Sequence, residues 1–212
     1  MSPASELLQA VLLMLSASAS AVGIGLARRG YGEPHQPALF SALMAFSLAA
    51  ATGACATARL AMGLDTLEAE RWLLQATLLL GIPLVGAAAL TFSRQWTWSR
   101  PTWGRLVMGL CAFFELARQL GWSPHYALMV GLLSALLVSY AGLLRWPMRL
   151  QTAAGLAGGL LLMALLPWGG LLIRANPLQP FELLWLALAI PIIAWLLLRL
   201  PVDLPAGAQA QA

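Results

Sequence analysis

Seven apolar runs, each close to the length that crosses a bilayer, follow one another through this chain with little between them. They occupy about residues 7–27, 38–64, 72–93, 104–122, 125–144, 152–173 and 181–200. A helix needs about 20 apolar residues to cross the hydrocarbon core. The connecting segments leave no room for a soluble domain of ordinary size. Charged residues make up only 9% of the chain, against about 25% in soluble domains, so there is too little polar surface to face water. The expected fold is an all-α integral membrane protein with seven transmembrane helices in one domain, residues 1–200. The tail PVDLPAGAQAQA, residues 201–212, is expected to be a disordered cytoplasmic extension.

The fourth run, GRLVMGLCAFFELARQLGW from Gly104 to Trp122, is the least comfortable, because Glu115, Arg118 and Gln119 interrupt it. The topology turns on whether it crosses, and the rest of the chain is expected to be arranged around it. Arginine decides between the alternatives, since cytoplasmic loops are enriched in basic residues. With seven spans and the N-terminus outside, eight arginines (28, 29, 94, 100, 105, 145, 149 and 199) fall inside and four (59, 71, 118 and 174) outside. Without the fourth span the division becomes seven against five. The seven-span arrangement fits better and puts the C-terminus in the cytoplasm of a bacterial-type inner membrane. Glu6 precedes the first apolar run and Arg28 and Arg29 follow it, the order of a retained first helix rather than a cleaved signal peptide. Trp96, Trp98, Trp103 and Trp146 lie beside the inner arginines, and Trp72, Trp122 and Trp168 lie toward the outer end, as aromatic belts would.

LLLGIPLVGAA around Pro83 resembles LALAIPIIAWL around Pro191. The likeness allows a 3+1+3 parallel repeat, with the fourth span as linker, of a kind some transporters have. LAAATGACATA in the second span presents small residues against which another helix packs closely.

Arg59, Gln75, Glu115, Arg118, Gln119 and Glu182 are the expected ligand-binding residues. All lie within or at the ends of the spans, in the outer half. Ionisable groups there are costly unless paired or hydrated, and they mark functional sites. Glu115 and Arg118 share a helix face. Arg59 shares one with Cys55 and Thr52 on the second span and is expected to pair with Glu115 across helices. A polar pocket between spans two, three, four and seven follows, with Arg59 and Arg118 holding an anionic group.

Several chemistries are excluded. The chain has no lysine for a retinal Schiff base. Its two histidines, His35 and His125, are expected at opposite ends of the bundle, so they cannot form a histidine-rich zinc site or a bis-histidine haem site. There is no phosphate-binding glycine loop. The net charge of +4 is all arginine in short loops and orients helices rather than binding nucleic acid. No catalytic residue, metal or cofactor is assigned. The expected function is a small transporter or ligand-binding membrane protein. The alternatives are a non-catalytic subunit that assembles with a partner, and a membrane hydrolase acting on lipid headgroups. Expected partners are membrane lipids, a small anionic or amphipathic ligand, and a protein partner or second copy.

Overall fold

The computed structural model describes residues 3–166 and 181–200, with Arg118 described in its backbone only. Among these residues there are seven helices and no strands. They are α1 Pro3–Ala27, α2 Gln36–Met62, α3 Leu67–Arg94, α4 Arg100–Gln119, α5 Ser123–Leu143, α6 Arg149–Ala164 and α7 Glu182–Arg199. Residues 167–173 of the expected sixth span and the tail 201–212 lie outside the described residues.

Five helical segments are long and apolar enough to cross a membrane: Pro3–Gly30, Glu33–Met62, α3, α5 and α7. The other two helices fall short for different reasons. α4 carries Arg100, Arg105, Glu115 and Arg118 within 20 residues, and the described part of α6 is only 16 residues long.

Helix ends follow local chemistry. α2 stops at Gly63, whose φ of 67° is a left-handed conformation, and its N–H bonds back to the Ala58 and Arg59 carbonyls. Gly121, with φ 70°, turns the chain between α4 and α5, and Pro124 sits in the first turn of α5, where its missing N–H costs nothing. In α3, Pro83 cannot donate to the preceding turn. Thr77–Gly81 opens into a π turn, with the Ile82 N–H bonded to the Thr77 carbonyl five residues back.

The helices alternate in direction. At one end Arg28 lies over Phe40 at 5.1 Å, His35 meets Phe92 at 5.7 Å, and Arg94 lies over Tyr140 at 5.3 Å. The Tyr31 hydroxyl donates to the Leu198 carbonyl at 2.7 Å, and Arg145 donates to the Leu200 carbonyl. This is the arginine-rich end. The opposite end gathers Asp65, Glu68, Glu70 and Arg59 with the starts of α5 and α7.

Six helices close a ring in the order α1, α2, α3, α5, α6, α7, and α7 returns to α1. Small residues set the tightest contacts. On α2, a Cβ added to Gly53 would lie 2.6 Å from the Met14 backbone nitrogen of α1. Between α5 and α6, Gly142 and Gly155 bring the two backbones together. The small-residue stretch of the second span therefore packs against α1.

α4 lies outside the ring, against α2, α3 and α5. Met108 is 71% and Phe113 63% exposed. The chain is therefore not organised around this segment, contrary to expectation: its outward face is apolar, and the glycine seams hold the bundle. Trp103 is also reassigned. It is 5% exposed and packs on Trp98 at 5.5 Å, so it fills space beneath the α3–α4 loop, whereas Trp96 and Trp146 remain exposed as belt residues do.

Candidate functional site

At the acid-rich end, α3, α4, α5, α6 and α7 enclose a cavity of about 560 Å³. Its wall is mostly apolar: Leu78, Leu79 and Ile82 from α3, Phe114 from α4, Ala127 from α5, and Leu162 from α6. Glu68, Arg71, Gln75, Ser123 and Glu182 add polar groups to the lining. Each arrives there for a local reason. Glu68, Arg71, Trp72 and Gln75 fall at three- and four-residue intervals on the first two turns of α3, so they form one stripe. Ser123 opens α5 next to Pro124, and Glu182 opens α7, where a carboxylate suits the positive end of the helix dipole.

Of the six expected ligand-binding residues, Gln75 and Glu182 are on the wall. Glu182 has no hydrogen-bond or ion-pair partner among the described residues. Glu115 and Gln119 lie on α4 next to the cavity residue Phe114 but do not line it. The Gln119 side-chain nitrogen donates to Glu115 Oε1 at 3.1 Å, one turn apart on the same helix. For Arg118 only the backbone is described, on the same helix.

Arg59 corrects the sequence expectation most sharply. Its partner is Glu70, not Glu115. Arg59 Nε donates to Glu70 Oε2 at 2.7 Å, and a second guanidinium nitrogen reaches Oε1 at 3.2 Å. The two side chains are 30% and 12% exposed. This fork geometry ties the end of α2 to the start of α3. Nearby, Thr66 Oγ1 donates to the Cys55 carbonyl at 2.8 Å, and the buried hydroxyls of Thr52 and Thr77 meet at 3.3 Å. The polar face of α2 is thus consumed by α3. The pocket expected between spans two, three, four and seven opens instead among spans three to seven, and α2 takes no part in it.

No known protein family, characterised protein or solved structure matches this chain.

Sequence reasoning missed Glu68, Arg71, Trp72 and Ser123 as lining residues. A usable signal was present for the first two. Acids crowd the first turn of a helix, and Glu68 and Glu70 fall within four residues of Thr66. Starting the span at Trp72 left this turn in the loop. Among the described residues, no group of three His, Cys, Asp or Glu side chains is placed to hold a metal ion.

Proposed function

We propose that this protein binds a small amphipathic molecule in the acid-end cavity, as a transporter or ligand-binding protein of the bacterial inner membrane. The cavity carries this reading. Its volume of about 560 Å³ lies within the roughly 300–1,000 Å³ typical of small-molecule sites. An apolar wall with a few polar groups fits a ligand with an apolar body and a polar head. A purely anionic ligand fits less well, because Arg59 is engaged by Glu70 and Arg71 is the one guanidinium on the described wall.

We further propose that all seven helices span, with the acid-rich end outside, and that α1–α3 and α5–α7 are parallel repeats joined by α4. The packing supports the repeat. Exchanging α1 with α5, α2 with α6 and α3 with α7 turns each major contact of the ring into another: α1–α2 into α5–α6, α2–α3 into α6–α7, and α1–α7 into α5–α3.

The test is native mass spectrometry of protein extracted from its own membrane and stripped of loosely bound lipid. The wild type is expected to retain a bound small molecule. Ala127→Trp, which fills the cavity from α5, is expected to lose it while melting within a few degrees of the wild type. An identical adduct in both proteins, or none in the wild type, removes the reading.

A further inference from the structure

A second, smaller space lies at the centre of the bundle, a void of about 20 Å³. Ile82 and Leu162 line both it and the acid-end cavity, so the two spaces are neighbours across these side chains. On two sides the void is walled by Gly81, Ile82 and Val85 of α3 and by Ala189, Ile190 and Ile193 of α7. These six residues correspond one to one. In each helix they stand two before, one before and two after the mid-helix proline, Pro83 or Pro191. α3 and α7 are not neighbours in the ring. They present the same face, counted from the same residue, to a common centre, which is where an axis relating the two halves would run.

Thr77 is the one polar residue on the void's wall. Water in a cavity needs two to four polar partners, so this layer is dry. Apolar constrictions of this kind close a path by excluding water. Backbones meet at glycine within each half, Gly53 against Met14 and Gly142 against Gly155, and also at the α3–α5 seam, where a Cβ on Gly86 would lie 3.2 Å from the Ser134 Cα. Between α3 and α7 the facing residues leave unfilled space, and unfilled space forfeits dispersion contacts. Both helices are interrupted there by proline, and α3 is widened by the π turn that ends at Gly81. Helices with such interruptions bend at them.

We propose that the protein is a transporter, and that this central layer is its closed gate. A solute held in the cavity passes between the two proline segments toward the arginine-rich end when the two halves rock apart. The proposal rests on reading the cavity as a ligand site and adds passage through the bundle.

Thiol labelling tests it without knowledge of the solute. Cys55 and Cys111 are the protein's two cysteines, so Cys55→Ala with Cys111→Ala gives a clean background. Val85→Cys and, separately, Ile193→Cys then report on the gate from either half. Ala10→Cys, on α1 and fully buried, is the unreactive reference. Each variant is treated with a charged, membrane-impermeant methanethiosulfonate in vesicles of both orientations. Gate cysteines are expected to react from both sides. The arginine-rich side should be slower by about 10- to 1,000-fold, matching a minor state populated at roughly 0.1–10%, yet faster than Ala10→Cys. Reaction from the cavity side alone, or from neither side, overturns the proposal. If the wild type still retains a bound molecule in that case, the protein is a static binding protein and the cavity reading stands. If one gate variant fails to fold, the matched position in the other half gives the same result.

Discussion

Gly155→Leu is expected to leave little folded protein. A Cβ at this position would sit 2.5 Å from the Gly142 Cα and 2.9 Å from the Gly142 nitrogen. Both are backbone atoms, so no rotamer change relieves the clash, and α5 and α6 must move apart along their seam. In a bilayer, helices associate largely through close packing, which small residues make possible. Overpacking of a tight core costs about 1–3 kcal/mol when side chains can adjust. Here the backbone itself must yield, so the loss should reach or exceed the top of that range. Gly109→Leu on α4 is the matched control, because a Cβ there meets nothing within 4 Å. Thermal stability in detergent, followed by size-exclusion chromatography, should separate the two variants clearly. Equal stability would mean that the Gly142–Gly155 contact does not hold the second half together.

Arg59→Ala is expected to be the most damaging single charge removal at the acid-rich end. Glu70 is 9% exposed as a residue and takes two hydrogen bonds from Arg59. Without them a carboxylate is left nearly buried and unsatisfied. A lost charge-assisted bond with an orphaned partner costs about 1–3 kcal/mol, and the partial exposure of Arg59 keeps the figure within that range rather than above it. Glu70→Gln should do less harm in the Arg59→Ala background than alone, with a coupling of about 0.5–3 kcal/mol for groups in contact. Glu115→Gln should couple to Arg59→Ala by less than about 0.5 kcal/mol, the scatter seen for independent sites. Strong coupling to Glu115 and none to Glu70 would reverse the assignment.

The contrast between these two carboxylates shows what the chain disclosed as a sequence and what it withheld. Apolar run length located the helices, and the two end glycines, Gly63 and Gly121, lie where the runs end. Alternating direction then brought Arg59, Gln75, Glu115, Gln119 and Glu182 toward one end. Which of them meet was not legible, because that depends on the rotation of each helix about its axis. α3 begins at Leu67, five residues before the expected Trp72, and that extra turn carries Glu70 to Arg59. Residue depth alone favoured Glu115. α4 was misjudged for a related reason. Its polar residues point to the heart of a site, but Met108, Phe113 and Leu116 turn outward and the helix packs outside the ring. The cavity could not be foreseen from one segment, since its wall is assembled from five helices whose contacts are set by glycines elsewhere. The proline match between α3 and α7 was visible, whereas the shared centre those segments face needed coordinates.

A ligand site open to one side requires α4 to cross the membrane, so that the α2–α3 and α4–α5 turns and the start of α7 share one side with the cavity. Reporter fusions after Trp122 and after Arg149 measure this. The expected result is periplasmic activity for the fusion after Trp122 and cytoplasmic activity for the fusion after Arg149. If the fusion after Trp122 instead reports the cytoplasm and the fusion after Arg149 the periplasm, α4 does not cross, and the cavity cannot open to a single side of a seven-span bundle.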